Sequence, residues 1–164
     1  DFLILTRPLE INNALLWLTG SLWGRGWEQL SMLWPWWLLL PVVLWLAHRL
    51  NLLNLGDESA ASLGLNVLGI RICALLIAVI WTSAAVSVCG PISFLGLVAP
   101  HLARQLVGGR HQYLLPTAML VGAFLLVISD FVARIILPPL ELPAGILTAI
   151  LGAPYFLYLL MRMR

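Results

Sequence analysis

The feature that most constrains this chain is a series of long uncharged stretches that are rich in apolar side chains. They cover residues 29–47, 72–103, 112–129 and 142–161. A helix rises ~1.5 Å per residue, so about 20 apolar residues are needed to cross a hydrocarbon core of ~30 Å. Only 10% of the residues are charged, whereas soluble domains carry about 25%. The sequence therefore predicts an all-α, polytopic membrane protein.

The stretch at 72–103 is too long for one crossing. As a single helix it would measure about 48 Å, which exceeds even a tilted span. Gly90 and Pro91 lie in its middle, and proline removes a backbone donor and clashes with the preceding turn. Gly96 and Pro100 make the second part irregular as well. We therefore predict two helices here, the second short and broken, and about five spans in all.

Charged residues and turn residues set the order of the predicted segments. Arginine is enriched on the cytoplasmic side of membrane proteins, and a five-span arrangement places most of the arginines on one side, which we take as cytoplasmic. A four-span arrangement gives an equal excess, so charge alone leaves the parity open. The predicted segments are the end of a preceding span with an extracytoplasmic interfacial helix (1–28), a span (29–49), a cytoplasmic loop (50–70), a span (71–89), a short broken span (90–107), a cytoplasmic turn (108–112), a span (113–137), an extracytoplasmic loop (138–145) and a last span with a cytoplasmic C-terminus (146–164).

The composition excludes several kinds of chemistry. The sequence contains no lysine, and both a phosphate-binding P-loop and a Schiff-base site require one. No basic run is present to neutralise nucleic-acid phosphates. Cys73 and Cys89 lie in apolar stretches without the spacing of a redox or metal motif, and the histidines are distant from one another with no carboxylate at helical spacing. We expect no ATP hydrolysis by a P-loop, no nucleic-acid binding and no metal site here.

The longest polar interval inside the chain predicts a two-turn helix over residues 56–64. Asp57 is suited to cap it, the carboxylates of Asp57 and Glu58 favour its positive end, and Gly64 allows a left-handed turn where it stops. Ala60, Ala61 and Leu63 favour helix between them. So short a helix is unstable alone in water and must pack on something. Two readings stay open, an ordinary capped loop helix and a helix that inserts into a partner's groove.

An ordered series of motifs runs along the chain, comprising Gly56–Gly64, Cys89–Arg104, Leu114–Pro116, Ser129–Arg134, Glu141–Gly145 and Gly152–Tyr155. In this order they resemble the permease subunits of ABC importers for ferric siderophores and vitamin B12. Asn12–Trp23 is most similar to the ferric citrate branch. The family's permeases have about ten spans, so this chain resembles a C-terminal half, and because it begins at Asp1 we expect an internal cut there.

The resemblance implies a transporter subunit of the bacterial inner membrane rather than an enzyme. Its expected partners are a second permease subunit, identical or merely similar, two ATP-binding subunits and a periplasmic substrate-binding protein. A ferric chelate would pass through without a protein-bound cofactor, because ATP and Mg²⁺ would sit on the ATPase. The residues expected to couple this chain to the ATPase are Gly56, Asp57, Glu58, Ala60, Ala61, Leu63 and Gly64.

Other residues carry two readings each. His101 and Arg104 are three apart, so one helix face could present both to the ATPase. Arg134 could dock the binding protein or simply pair with Asp130, four residues earlier. Small and helix-breaking residues of the short span could line the path or only pack. This last group comprises Gly90, Pro91, Ser93, Gly96 and Pro100.

Two other functions fit the composition. Half of a secondary transporter would also use broken helices, but it would normally place an ionisable coupling residue deep in a span. Only Asp130 enters such a window, and it lies near an end. A non-transporting scaffold subunit is the second alternative, and co-purification with an ATPase would separate it from a permease.

Overall fold

A computed structural model describes residues 18–136 and 142–162. These residues form helices joined by short turns, with no β-strand among them. Most of the segment predicted at 1–28, part of the loop predicted at 138–145 and the last two residues lie outside the described ranges. The helices are α1 (Trp27–Leu33), a 3-10 helix (Trp34–Leu39), α2 (Leu40–Leu53), α3 (Asp57–Ser62), α4 (Val67–Cys89), α5 (Leu95–Val107), α6 (His111–Ile136) and α7 (Ala144–Arg162).

The first span runs from Trp27 to Leu53 and changes to 3-10 geometry in its middle. Pro35 and Pro41 cannot donate backbone hydrogen bonds, which weakens the α-helical pattern around them. The amide of Leu40 bonds to the carbonyl of Trp37 instead of Trp36. The indole Nε1 of Trp81, on α4, donates to the freed Trp36 carbonyl at 3.0 Å. An aromatic side chain from the next span therefore supplies the hydrogen bond that the irregular turn leaves unmade.

The chain breaks between α4 and α5, beside the predicted Gly90–Pro91 pair. Gly90 ends α4 with a φ of +73°, and Phe94 enters the left-handed region with a φ of +63°. α5 has only 13 residues, or ~20 Å, less than a ~30 Å core. Gly96 and Pro100 lie inside α5 rather than interrupting it. The irregularity expected at these two residues is therefore confined to the segment before the helix.

A single side chain decides the parity that charge left open. The Oδ1 atom of Asn51, near the end of α2, accepts a hydrogen bond from the backbone N–H of His111 at 2.7 Å. The end of α2 and the start of α6 therefore lie at the same end of the molecule, and α5 must return the chain between them. At the opposite end, Ser21 N–H donates to the Cys89 carbonyl and Gly145 N–H to the Gly20 carbonyl. The described chain makes five passes.

Small residues pack the helices where they meet. A Cβ added to Gly122 would lie 3.5 Å from the Cβ of Ala99, and Ala99, Ala103 and Ala133 are buried. Small side chains let membrane helices approach closely. By contrast, only 6% of the most apolar 18-residue stretch of α4 is buried within the described structure. Large apolar faces are thus left for lipid or for other helices.

Four helices in the described ranges are long and apolar enough to cross a membrane, and α5 completes the five passes. The all-α, polytopic membrane fold predicted from the sequence is confirmed. The span of Trp27–Leu53 contains the predicted 29–49, and α7 begins two residues before the predicted 146.

Candidate functional site

Helix α3 is held between two glycine turns. Gly56, at the position before the helix, has φ +98° and ψ 155°, a region that essentially only glycine occupies. Its carbonyl accepts from the Ala60 N–H at 2.9 Å. Gly64 follows the helix with φ +81°, as the sequence predicts. The capping role expected of Asp57 is wrong, because Gly56 holds the cap position and Asp57 begins the helix without a side-chain cap bond.

One side of α3 is anchored in a small apolar cluster. Ala60 is fully buried, against Leu46 of α2 and Leu65 and Ile70 after the turn. The predicted pair of alanines is therefore split, since Ala61 is exposed. Ala60 anchors α3 to the apolar cluster and is not accessible to a partner protein. The cluster ties α3 to the ends of both α2 and α4.

The other side of α3 is open. Leu63 keeps 63% of its surface exposed, and the carboxylates of Asp57 and Glu58 lie in the first turn. A large exposed leucine beside acidic and small residues is the composition of a contact surface rather than of a lipid-facing helix. The exposed residues of this outer face are Asp57, Glu58, Ser59, Ala61, Ser62 and Leu63.

An ion pair joins α3 to the span that follows it. Arg71 Nη2 lies 2.8 Å from Asp57 Oδ1, and the two side chains are 56% and 52% exposed. Exposed pairs contribute only ~0–1 kcal/mol, so this bond orients Asp57 more than it stabilises the fold. From the sequence, Arg71 serves only as a span boundary and as one of the arginines on the side taken as cytoplasmic. The signal that could have found it is a lone arginine one helical turn inside α4, facing an acidic helix across a tight turn.

His101 and Arg104 differ in contacts and exposure. The His101 ring meets Tyr155 of α7 edge-on, with ring centres 5.9 Å apart. Tyr155 also accepts a hydrogen bond from Gln105 Nε2 at 3.4 Å. Arg104 is exposed near the end of α5. His101 thus contributes to helix packing, and Arg104 alone of the pair is directed outward.

The break before α5 borders an open apolar cavity of about 540 Å³. Gly90 and Gly96 are among its lining residues, together with Trp36 and Trp81. Pro91, Ser93 and Pro100 are exposed outside that lining. Phe94 is wedged against α7, where a Cβ on Gly152 would overlap the Cβ of Phe94. The segment before α5 therefore packs against α7 through Phe94 and borders an open cavity through Gly90.

Arg134 forms the local pair that its spacing predicts. Its Nε donates to Asp130 Oδ2 at 2.8 Å, and the arginine side chain is 52% exposed. His111 lies about 35 Å away at the other end of α6. Arg134 is therefore at the end of the molecule opposite α3. Within the described residues, no three His, Cys, Asp or Glu side chains are grouped closely enough to hold a metal ion.

Comparison with known proteins decides the family. The model of the FecCD transport family matches residues 1–162. The chain belongs to the FecCD transport family. The resemblance to this family read from the motifs is thereby confirmed, and its likeness to the ferric citrate branch is confirmed by the relatives that follow.

Individual relatives give the same result. Over 165 residues the chain is 57% identical to the Fe(3+) dicitrate transport system permease protein FecD of Escherichia coli (strain K12), covering 100% of this chain and 52% of that protein. It is 51% identical over 161 residues to the Fe(3+)-citrate import system permease protein YfmE of Bacillus subtilis (strain 168), covering 98% of this chain and 48% of that protein. This FecCD-family chain spans about half the length of such relatives.

A solved structure matches the fold as well. A metal-chelate type ABC transporter in an inward-facing conformation superposes with a TM-score of 0.84 at 38% identity. The match covers 93% of this chain and 51% of that one. The helical arrangement described above is therefore that of half an ABC permease subunit.

Proposed function

We propose that this chain is part of the membrane-spanning permease of an ABC importer that carries a ferric chelate, with ferric citrate as the first candidate. The observation that carries the proposal is the placement of α3. It is a short helix rooted by Ala60 where two spans end, and its acidic outer face is left open. The names of the relatives support the substrate class.

In this mechanism α3 receives movement from a separate ATPase subunit, which binds ATP and Mg²⁺. Closure of two such subunits pushes on the exposed face of α3. Because Ala60 is packed against Leu46 and Ile70, α3 cannot shift without displacing the ends of α2 and α4. Close-packed interfaces switch between discrete arrangements rather than deforming continuously. A second permease subunit, identical or similar, would form the other wall of the path.

The distribution of arginine supports an orientation with α3 in the cytoplasm. At the α3 end, the described helices and turns carry five arginines, against Arg25 and Arg134 at the opposite end. An excess of arginine marks the cytoplasmic side. The C-terminal end of α7 then also faces the cytoplasm, and the membrane is the bacterial inner membrane. The arginines of the α3 end are Arg49, Arg71, Arg104, Arg110 and Arg162.

Arg134 then faces the outside, where a periplasmic binding protein delivers the substrate. Its guanidinium is held by Asp130 yet half exposed, so it keeps donors free for a carboxylate of the partner. Complementary charges at a docking rim mainly raise the association rate and fix orientation. The broken segment around Gly90 and Ser93 offers a neutral wall, past which a bulky chelate can move without being bound tightly.

Ion coupling, as in half of a secondary transporter, has less support. Every Asp, Glu and Arg of the described helices lies within about two turns of a helix end. Coupling ions are normally bound by ionisable groups near the bilayer centre. A scaffold without transport would have no use for the anchored, open-faced α3.

The test uses the full-length permease with its ATPase and binding protein in liposomes. Ala61→Trp adds bulk to the outer face of α3, so we expect chelate uptake per ATP hydrolysed to fall about tenfold, the size of effect at a well-packed interface. Ala61→Ser, which keeps the face small, is the matched control and should transport normally. Undiminished uptake by Ala61→Trp would contradict the proposed role of α3.

A further inference from the structure

The contact between Asn51 and His111 is a two-point bond with defined polarity. Besides accepting from the His111 backbone N–H at 2.7 Å, Asn51 Oδ1 lies 3.1 Å from the His111 ring atom Nδ1. A backbone N–H can only donate, so the Asn51 atom must be its oxygen. In the tautomer that carries its proton on Nδ1, the ring donates a second hydrogen bond to the same oxygen. We call this pair of bonds the Asn51–His111 latch.

The latch performs a task that local structure leaves undone. The first backbone N–H groups of a helix have no hydrogen-bond partner within that helix. The latch gives the N–H of His111 a partner, Asn51, which lies 60 positions earlier in the sequence. It also fixes the turn before α6. Gly108 and Gly109 have open space where a Cβ would project, so side-chain packing does not hold this turn. Backbone bonds from Gly108 N–H to the Arg104 carbonyl and from Leu114 N–H to the Arg110 carbonyl close the turn on its own helices, and the bond from His111 to Asn51 links it to α2.

That turn forms part of a polar surface at the α3 end of the molecule. A cavity of about 430 Å³ lies there, lined by Asn51, Asn54, Gly109, Arg110 and Gln112. Arg110 is exposed, whereas α3 presents carboxylates. The same end of the molecule thus carries both an acidic helix and a basic turn, and Asn51 lies three residues before the turn that leads into α3.

We propose that the turn Gly108–Arg110 is a second contact surface for the ATPase subunit, and that the Asn51–His111 latch makes it move together with α3. Arg110 would meet a carboxylate of the ATPase. Asn51 is a positioning residue, because it acts through the turn and does not itself contact substrate. The inference rests on the proposed function and extends it from one helix to a two-part surface.

The experiment measures chelate uptake per ATP hydrolysed by the full-length complex in liposomes, with ferric citrate as the transported probe. Asn51→Leu removes the acceptor, and we expect the ratio to fall about fivefold, the factor that one net hydrogen bond supplies. Asn51→Asp keeps an acceptor oxygen and should restore the ratio. Asn54→Leu is the matched control, since Asn54 lines the same cavity but takes no part in the latch.

A distance measurement separates positioning from general destabilisation. Spin labels replace the exposed Leu63 and Leu106 in a cysteine-free background of the full-length complex. Asn51→Leu should broaden the distance distribution between the labels, and Asn51→Asp should narrow it again. A sharp, unchanged distribution in Asn51→Leu would overturn the latch.

The outcomes also distinguish this inference from the function on which it rests. If Ala61→Trp lowers the uptake ratio while Asn51→Leu matches Asn54→Leu, the latch is wrong and the coupling role of α3 stands. If neither Ala61→Trp nor Asn51→Leu changes the ratio, the proposed function itself is overturned, and the inference with it.

Discussion

The two ends of the bundle solve the problem of irregular backbone in opposite ways. At the α3 end, side-chain contacts hold two of the turns between helices, namely the Asp57–Arg71 ion pair after α3 and the Asn51–His111 bond before α6. At the break before α5, Phe94 sits in a left-handed conformation beside an open apolar cavity. One region is held by contacts of polar side chains, and the other by backbone hydrogen bonds and by the fit of apolar side chains.

This difference agrees with the roles proposed for the two regions, the transmission of movement by α3 and the passage of a chelate past the segment before α5. A helix that transmits movement must not slip against the spans that carry it, and buried Ala60 with its leucine neighbours provides that grip. A wall along which a bulky chelate passes needs neutral surface and room. Strained backbone outside helices tends to occur at sites that move or bind, and Phe94 is the one described non-glycine residue with a positive φ.

The largest expected effect tests the dependence on shape. Gly152→Ala would force a Cβ into that of Phe94, and we expect about 3 kcal/mol of destabilisation, at the upper end for overpacking. Gly96→Ala, at a helical position with open space, is the control and should be neutral or slightly stabilising. The midpoint of thermal unfolding of the full-length permease in detergent is the measurement. Equal unfolding midpoints for the two variants would contradict the claim that close packing of Phe94 against Gly152 stabilises the break.

A smaller effect tests the bracing of the α3 end. Gly56→Ala meets no neighbouring atom, so its cost comes only from the backbone conformation at φ +98°, about 2 kcal/mol. Gly109→Ala, also in open space but without a positive φ, should leave the same unfolding midpoint unchanged. If Gly56→Ala unfolds like the parent protein, the turn before α3 is not fixed as described.

The sequence predicted the features that depend on local patterns of residue types. Uncharged windows revealed the spans because hydrocarbon demands about 20 apolar residues in succession, and Gly90–Pro91 marked the break because proline cannot continue a helix. The α3 loop was found because its residue types favour a short helix between glycines.

The sequence could not supply contacts between distant residues. Asn51 and His111 are 60 positions apart, and no local pattern pairs them, although that bond decides the parity of the spans. Asp57 was mistaken for the cap because aspartate is a favoured capping residue, whereas the actual cap depends on the φ of Gly56. His101 and Arg104 were grouped by spacing, but Tyr155, on a later helix, takes one of them into the packing.

The most direct test of the central claim is a cross-link between the outer face of α3 and the ATPase. In the full-length complex, cysteine replaces the exposed Leu63 in a cysteine-free permease, and a short bifunctional reagent is added to inside-out membrane vesicles. The account predicts a permease–ATPase product whose yield changes when ATP is bound. Labelling of that cysteine only from the outside of the cell, or no product in a complex that transports, would contradict it.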